Sequence, residues 1–441
     1  MRRTGKKQFL GILVFLAAVS YVTGCSGIDK DRQAEKAGVE PEATIRFAWW
    51  GTKERADRTI QAVRLFEEKN PQIQVKTSWF EFDEYEENLR IAASVDNMPD
   101  VFQGYVSSDN YYLEQGLIED LSGYVQEGLI RTSDISQELL ETGMYNGALY
   151  GLSMGCNVKC LVLDEEVYEK AGLAIPEICY PTWEALEEDL YALKNVTGAY
   201  GAEDLFDQSF TLRYFLRQHG ESMFTEVPGQ IGFTEKTLEE FYQLKKRWIE
   251  EKLIPAYDAA ASTSLSNCEF VKGNAAVKAC YSNEYLQLKE LTGKELRLIL
   301  MPGAQNGLGT DLRPGHHISM AAHSNEKEAA AKLIDFLIND VEANKILDAE
   351  RGIPVSASVR QAMEEDKDEQ QEMWKIIDLA EQYSAVQDAP SELDTYSFDR
   401  FMRAIEEEIM YDQFSIEEAY EKIRDYISKG YSRVSVSKSD E

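Results

Sequence analysis

Positive charge is scarce in this chain of 441 residues, which carries 46 Lys and Arg side chains against 78 Asp and Glu, a formal net charge of -32. This deficit excludes nucleic acid as a partner, because phosphate backbones are bound by a basic face. It also argues against flat adsorption to an anionic bilayer. Apolar residues are not scarce. With 44% hydrophobic and 11% aromatic residues, the composition is that of a folded protein large enough for two or three domains.

Metal-ligating side chains are also few, with four His, six Cys and no Cys-x-x-Cys pair. The chain has no His-Glu-x-x-His motif and no phosphate-cradling loop that ends in Gly-Lys-Ser/Thr. Its 78 carboxylates make any pair uninformative as the acid and base of a glycosidase. We therefore predict that the protein is not an enzyme and has no catalytic residues, no cofactor and no metal site.

The first 24 residues differ from the remainder. They contain four basic residues and no acidic one, and Phe9 to Val22 is almost wholly apolar. This pattern is typical of a signal peptide and is short for a membrane span. Removing four of the 46 basic residues leaves 42 against 78 acidic ones, a formal charge of -36. Such an acidic body predicts a neutral ligand that needs no electrostatic steering.

The end of this segment, Val22-Thr23-Gly24-Cys25, resembles the bacterial lipobox. In such proteins the Cys thiol receives a diacylglyceryl group, with acyl chains such as palmitate, and becomes the mature N-terminus. The resemblance implies that Cys25 is lipidated and anchors the protein at the extracytoplasmic face of the cell membrane. Residues 25–43 would form the lipid-anchored flexible tether. The alternative is an ordinary signal peptide with a chance cysteine.

Five cysteines remain after Cys25, and an odd count leaves at least one thiol free. Cys156 and Cys160 are spaced to share one face of a predicted strand. Cys268 and Cys280 could approach each other. The favoured interpretation is that the remaining cysteines are small buried hydrophobes.

From residue 44 onwards, predicted strands alternate with predicted helices. Short β-prone runs at 45–49, 73–77 and 99–103 are separated by segments with helical spacing, and the same order restarts near residue 157. This alternation predicts two α/β lobes with mainly parallel sheets flanked by helices. Asn325 with Glu328 and Ser415 with Glu418 have the spacing of capping boxes, which predicts a helix start at each place.

Several motifs occur together in an order that resembles a known family. They are Phe47–Gly51, Leu65–Pro71, Met98–Gln103, Gly147–Leu152, Phe270–Val277, Glu328–Leu337 and Arg351–Pro354. Their joint order is similar to that of the family 1 extracellular solute-binding proteins of bacterial ABC importers, a type typical for sugars. The resemblance covers about residues 44–355, and its specificity lies in the order rather than in any single motif.

The resemblance implies a two-lobe clamshell of the periplasmic-binding-protein type, with hinge crossovers near Met154–Asn157, Gly315–Ile318 and Arg351–Val355. The N-terminal lobe would comprise 44–154 and 317–352, and the C-terminal lobe 155–316 and 353–441. A carbohydrate, taken to be an oligosaccharide, would be captured between the lobes of a monomer and delivered to the ABC transporter permease subunits. Two alternatives stay open: another solute, such as a polyol, glycerol phosphodiester or peptide, or a surface glycosidase.

Sugar recognition combines flat aromatic rings with planar polar side chains. Residues of this kind at strand ends and hinge crossings are the candidate ligand-binding set: Trp50, Gly51, Arg55, Glu81, Gln103, Tyr105, Asn157, Tyr281, Asn283, His316 and Arg351. Trp49 is expected to pack in the core while Trp50 faces the cleft, because successive strand residues point to opposite faces. The family's usual stacking Trp is missing near Tyr281, which could substitute for it. For Arg55 and Arg351 the alternative, a surface ion pair, is the favoured interpretation, because the chain has 78 acidic side chains.

Overall fold

The computed structural model describes residues 41–104, 111–207, 210–225, 227, 229–260, 264–307, 309–364, 370–384 and 395–439. The predicted signal peptide, the lipidation residue Cys25, most of the tether and the candidate ligand residue Tyr105 lie outside the described residues. Among the helices that are described, none has the length and apolarity needed to cross a bilayer.

The strands of the described residues fall into two main sheets and one hairpin. They are β1 Ala43–Trp50, β2 Ile73–Phe80, β3 Val101–Gly104, β4 Met144–Tyr145, β5 Ala148–Leu149, β6 Leu152–Ser153, β7 Cys156–Asp164, β8 Val277–Tyr281, β9 Leu296–Leu300, β10 Leu312–Pro314 and β11 His317–Met320. The first sheet has the order β2-β1-β3-β11-β6, and β4 pairs with β5. The second sheet is centred on β7, which pairs with β8, β9 and β10.

Helices cover these sheets and make up much of the chain. They are α1 Lys53–Lys69, α2 Phe82–Ser94, α3 Tyr111–Glu114, α4 Ser122–Gln126, α5 Gln137–Glu141, α6 Glu165–Ala171, α7 Trp183–Thr197, α8 Thr211–Gln218, α9 Glu235–Glu250, α10 Tyr257–Ala260, α11 Tyr285–Thr292, α12 Lys327–Asn339, α13 Val341–Leu347, α14 Ala357–Glu364, α15 Gln371–Tyr383, α16 Thr395–Met410 and α17 Ile416–Ser439. The predicted two-lobe α/β fold is confirmed.

Strand direction differs between the two sheets. In the first sheet, β1 runs parallel to β2 and β3, as the β-α-β-α-β order predicts, while β11 is antiparallel to β3 and β6. In the second sheet, β8, β9 and β10 are all antiparallel to β7, so the prediction of mainly parallel sheets is wrong there. Two neighbouring strands of a sheet run parallel when a single helical crossover connects them. Here the segment between β7 and β8, residues 165–276, is long, and its described part contains the five helices α6 to α10.

The central strand β7 divides its side chains between two hydrophobic cores. Cys156, Val158 and Cys160 belong to one buried cluster, and Leu161 and Leu163 belong to another. The five described cysteines are all buried and free, which confirms the interpretation of them as small buried hydrophobes. The close thiol pair is Cys160 with Cys280, directly opposite across β7 and β8 with Sγ atoms 4.0 Å apart, rather than Cys268 with Cys280.

Three chain crossings connect the two sheets and lie side by side. The amide of Met154 donates to the carbonyl of His316 at 2.9 Å, and the amide of Gly315 donates to the carbonyl of Gly155 at 2.6 Å. Cys156 donates to the carbonyl of Ile353 at 2.7 Å. The crossings lie where the resemblance implies them. The lobe limits given above stay a prediction.

Candidate functional site

The first wall of the site is the carboxyl end of β1. Trp49 is fully buried, as expected for a core residue. Trp50 points to the other face and is 6% exposed, with its ring packed edge-on to His316 at a centroid distance of 4.6 Å. Tyr85 covers another side of the Trp50 ring at 5.2 Å. In this conformation Trp50 is therefore largely covered, and its role in stacking on a sugar stays a prediction.

Arg55, in the first turn of α1, turns back towards Gly51. A Cβ on Gly51 would lie 2.2 Å from Arg55 Cδ, so the glycine makes room for this side chain. Arg55 Nε donates to the Glu350 carboxylate at 2.5 Å, and its Nη1 lies 3.4 Å from His316 Nε2. Arg55 thus forms an ion pair, as the alternative interpretation allowed, but a half-buried one beside the hinge.

Arg351 is buried and links the third crossing to the first sheet. Its Nε donates to Gln103 Oε1 at 2.9 Å, and its Nη2 donates to Thr59 Oγ1 at 2.9 Å. Burial, and to a lesser extent the nearby Arg55 charge, lowers the pKa of Arg351 to about 9. The alternative of a surface ion pair is wrong for Arg351, because its side chain is buried.

Two polar atoms of this cluster have no hydrogen-bond partner among the described residues. They are Arg351 Nη1, which lies 3.8 Å from Glu350 Oε2, and Gln103 Nε2. A buried donor left unpaired costs about 1–3 kcal/mol. A ligand hydroxyl or carboxylate that accepted from them would remove this cost, so the cluster is suited to binding polar solutes.

The adjacent histidines of the second crossing are both neutral at physiological pH. Burial, followed by the charges of Arg55 and Arg351, lowers the pKa of His316 to about 3. Burial alone lowers the pKa of His317 to about 4. His317 Nε2 lies 3.1 Å from Thr142 Oγ1. Both imidazoles are therefore buried and uncharged beside the second crossing.

The second wall is the hinge-proximal end of β7 and its neighbours. Asn157 is opposite Arg313 of β10, and Lys159 is opposite Tyr281 of β8. These four side chains are half-buried. Asn157 Oδ1 is buried without a hydrogen-bond partner among the described residues. A Cβ on Gly352 would lie 3.0 Å from Asn157 Nδ2, which places Asn157 against the third crossing.

Two candidate residues, Glu81 and Asn283, are exposed to solvent. Glu81 precedes α2 without a side-chain capping bond, although its neighbour Phe80 accepts the Gly51 amide at 3.0 Å. Asn283 lies in a 3-10 turn over Ser282–Glu284. Ligand roles for both stay predictions.

Sequence reasoning missed Lys159 and Arg313 on the second wall, and Thr59 and Glu350 at the hinge. The signal for Lys159 was its position two residues after Asn157 in a strand, which puts both on one face. The signal for Arg313 was weaker, since nothing local to Leu312–Pro314 specifies pairing with β7.

One pentapeptide, Gly151-Leu152-Ser153-Met154-Gly155, has the Gly-x-Ser-x-Gly spacing of a hydrolase nucleophile turn. That motif requires a strand-turn-helix context. Here Ser153 ends β6 within a strand-to-strand crossing, is 3% exposed, and donates from Oγ to the carbonyl of Gly155 at 2.5 Å. The pentapeptide is therefore part of the hinge rather than a nucleophile turn.

Comparison with known proteins agrees with this geometry. Residues 61–374 match the family described as "Bacterial extracellular solute-binding protein". Because this match covers more than half of the chain, the protein belongs to that family. Relatives from Brucella abortus and Brucella suis, named as binding proteins, are 21% identical over 250 residues. The match spans 56% of this chain and 59% of theirs, less than two thirds of their length.

Solved structures share the fold over nearly their whole length. A family 1 extracellular solute-binding protein from Alicyclobacillus acidocaldarius is 25% identical, with a TM-score of 0.77 over 89% of this chain and 99% of that one. A periplasmic oligogalacturonide binding protein from Yersinia enterocolitica is 18% identical, with a TM-score of 0.72 over 88% and 99%. An ABC substrate-binding protein from Listeria monocytogenes, solved in complex with cycloalternan, is 19% identical, with a TM-score of 0.68 over 88% and 98%.

Proposed function

We propose that the protein is the solute-binding lipoprotein of an ABC importer, which captures an oligosaccharide between its two lobes and delivers it to the membrane permease. The observation that carries the proposal is the convergence of polar side chains from both sheets, above all Arg351 and Asn157, on three adjacent hinge crossings. A ligand that contacts both lobes stabilises the closed state through its differential affinity. The mechanism is hydrogen bonding and stacking without covalent chemistry.

Carbohydrate is the favoured solute because two of the similar structures are described with carbohydrate ligands, oligogalacturonide in one and cycloalternan in the other. The chemistry of the hinge supports this choice. Buried amide and guanidinium groups with unsatisfied hydrogen-bonding capacity are suited to hydroxyl groups, which both donate and accept. The half-buried ring of Tyr281 on the second wall offers a surface on which a pyranose can stack.

Binding is tested by titrating a panel of oligosaccharides while recording intrinsic Trp fluorescence and thermal stability. We expect saturable stabilisation by at least one sugar, with the sugar recovered unchanged. Asn157→Ala should weaken that binding about tenfold, because it removes a hydrogen bond beside the hinge. The matched control is Asn88→Ala on α2, where the exposed side chain donates to the Glu84 carbonyl of the same helix. Sugar hydrolysis, or a response only to peptides or polyols, would contradict the proposal.

Lipid anchoring is tested on Cys25 in the full-length chain. We expect the wild-type protein in the membrane fraction, with a mature N-terminus at Cys25 that carries acyl chains. The Cys25→Ser protein should carry no acyl chains. Two acyl chains give durable anchoring, whereas one would be marginal. A wild-type protein that is released with an unmodified Cys25 thiol would show an ordinary signal peptide instead.

A further inference from the structure

Two basic side chains and two aromatic rings form a compact group on the second wall, which we call the basic patch: Lys159, Arg313, Tyr281 and Phe210. Lys159 Nζ lies 4.7 Å from the Tyr281 ring centroid and 6.0 Å from that of Phe210. Arg313 Cζ lies 5.5 Å from the Phe210 centroid and 5.9 Å from that of Tyr281. Cation–π contacts of this kind are each worth about 0.5–1 kcal/mol at partly exposed sites. The rings therefore hold both charges in place without neutralising them.

The basic patch continues directly from the hinge. Asn157 and Lys159 share one face of β7, since alternate strand residues point the same way. Arg313 is the cross-strand partner of Asn157, and Tyr281 that of Lys159. On this face the residues farther along β7, Leu161 and Leu163, are covered by core, whereas Asn157 and Lys159 remain half-buried. The patch is therefore the accessible part of this sheet face.

The two acids in ion-pair range of Lys159 and Arg313 each have closer partners. Asp207 lies 3.8 Å from Lys159, but its carboxylate accepts the Phe210 amide at 2.5 Å and the Thr211 hydroxyl at 3.0 Å at the start of α8. Asp311 lies 3.9 Å from Arg313 but only 3.0 Å from Arg217 Nη2. The separations of 3.8 and 3.9 Å are at the outer limit of an ion pair, in contrast to 2.5 Å for Arg55 and Glu350.

A third acid, Asp399 of α16, has its pKa raised by burial, an effect that the charges of Arg213 and then Arg313 oppose. Across the hinge, Arg55 and Arg351 face Glu350 while the neighbouring His316 is neutral, so basic groups predominate there as well. The two walls thus bring four basic side chains, Lys159, Arg313, Arg55 and Arg351, towards the hinge of a strongly acidic chain. Screening confines charge effects to about 8–10 Å at physiological ionic strength, so a bound ligand experiences the local groups more than the net charge.

We propose that the basic patch binds a carboxylate carried on a sugar ring, so that the preferred ligands are acidic oligosaccharides that contain uronic acid. This inference rests on the proposed function and replaces the neutral ligand expected from the net charge. The planar guanidinium of Arg313 pairs with a carboxylate through two parallel hydrogen bonds, and Lys159 adds a point charge. The ring of Tyr281 supports the apolar face of the same sugar, while Asn157 Oδ1 accepts from a hydroxyl.

The experiment compares a panel of uronate di- and trisaccharides, including digalacturonic acid, with neutral and sulfated sugars of the same linkage, by calorimetry at low and high ionic strength. We expect uronates to bind at least about tenfold more tightly than neutral counterparts, with an advantage that shrinks as salt rises. Tighter binding of the sulfated sugars would mean that the patch prefers a sulfate group to a carboxylate, and it would overturn the proposal.

Lys159→Met and Arg313→Met should each reduce the affinity for the uronate about tenfold and the affinity for a neutral sugar less than about twofold. Arg313→Lys keeps the positive charge but loses the planar pair of N–H donors, so its affinity for the uronate should lie between those of the wild-type protein and Arg313→Met. The matched control is Arg131→Met, an exposed ion-pair partner of Asp335 on α12. Thermal unfolding of each variant separates misfolding from lost binding.

Equal binding of neutral and acidic sugars, or variants that weaken both alike, would overturn this inference and leave the proposed function intact. Failure of every sugar, acidic or neutral, to bind the wild-type protein would instead overturn the proposed function itself.

Discussion

Arg351 donates from its Nε to Gln103 Oε1 at 2.9 Å and so joins the third hinge crossing to β3 across 248 positions of sequence. A second bond, from Nη2 to Thr59 Oγ1, fixes the same guanidinium to α1. Arg351 is therefore anchored to β3 and α1, although the chain bonds to the second sheet two residues later, at Ile353. Gly352, with φ of +107°, is the first residue after this anchor and has a backbone conformation that favours glycine. Bending at the third crossing is thus expected at Gly352 and beyond.

The first prediction concerns this anchor. Arg351→Met removes two buried hydrogen bonds and leaves Gln103 and Thr59 with unpaired groups. We expect the free energy of unfolding to fall by about 2–4 kcal/mol, because hydrogen bonds to charged groups are worth about 1.5–3 kcal/mol each and the methionine restores part of the packing. Urea denaturation measures the loss. Arg131→Met on the surface should change it by less than about 1 kcal/mol. Similar values for both variants would contradict the anchoring role.

The second prediction concerns the close packing of the three crossings. A Cβ on Gly315 would lie 2.4 Å from the Arg351 carbonyl oxygen and 3.0 Å from that of Gly155. Gly315→Ala must therefore push the crossings apart, and we expect a lower melting temperature and a weaker ligand-induced decrease in the radius of gyration measured by X-ray scattering. The control is Gly123→Ala, since a Cβ there meets no atom within 4 Å. Normal closure by the Gly315→Ala protein would show that the crossings tolerate separation.

The sequence predicted helix caps correctly where the two hydrogen-bonded residues lie within one helical turn. Ser415 and Glu418 form the predicted capping box, with bonds of 2.9 and 3.1 Å between each amide and the other side chain. The box predicted for Asn325 and Glu328 does not form, because α12 begins after Glu326 without a side-chain cap. The Glu326 amide instead donates to Ser324 Oγ. Ser324 is itself held by the distant Asp100, a tertiary contact that no local pattern contains.

The same distinction applies to the candidate site. Motif order was enough to bring Trp50, His316 and Arg351 together, because each lies at a strand end or a crossing. It could not show that Arg351 is buried against Gln103 and Thr59, nor that β7 runs antiparallel to its neighbours, since both depend on register between distant segments. Lys159 and Tyr281 are neighbours only through that register.

The third prediction concerns a buried ion cluster in the second lobe. Lys245 of α9 is fully buried and contacts Glu406 at 2.6 Å and Asp204 at 2.9 Å, which ties α16 to the lobe. Lys245→Met leaves two carboxylates without their cation and should lower the free energy of unfolding by about 3–5 kcal/mol. Lys332→Met, which breaks an exposed pair with Glu328, is the control and should have little effect.

Adding Glu406→Gln to the Lys245→Met protein should recover part of the loss, because it removes one of the stranded charges. Denaturant titration of the single and double variants measures this coupling. If the second substitution lowers stability further by an independent amount, the two side chains do not act as a buried pair.

The last prediction concerns acid pH. Burial lowers the pKa of His317 to about 4, below its ordinary value of 6.5. Between pH 6.5 and about 4, His317 is protonated in the unfolded chain but neutral in the folded protein. Its contribution to stability is therefore complete above pH 6.5 and is lost as the pH falls towards 4. One pKa unit corresponds to about 1.4 kcal/mol, which gives a loss of about 2 kcal/mol by pH 5.

His317→Gln keeps a polar side chain beside Thr142 but cannot titrate, so the decrease in stability between pH 7 and pH 5 should be smaller by about 2 kcal/mol than in the wild-type protein. Urea titrations at the two pH values give the comparison. Carboxylates and His316 titrate in both proteins, so only the difference between the two proteins isolates His317. An equal decrease in the free energy of unfolding for wild type and His317→Gln would mean that the protonation of His317 does not contribute to acid destabilisation.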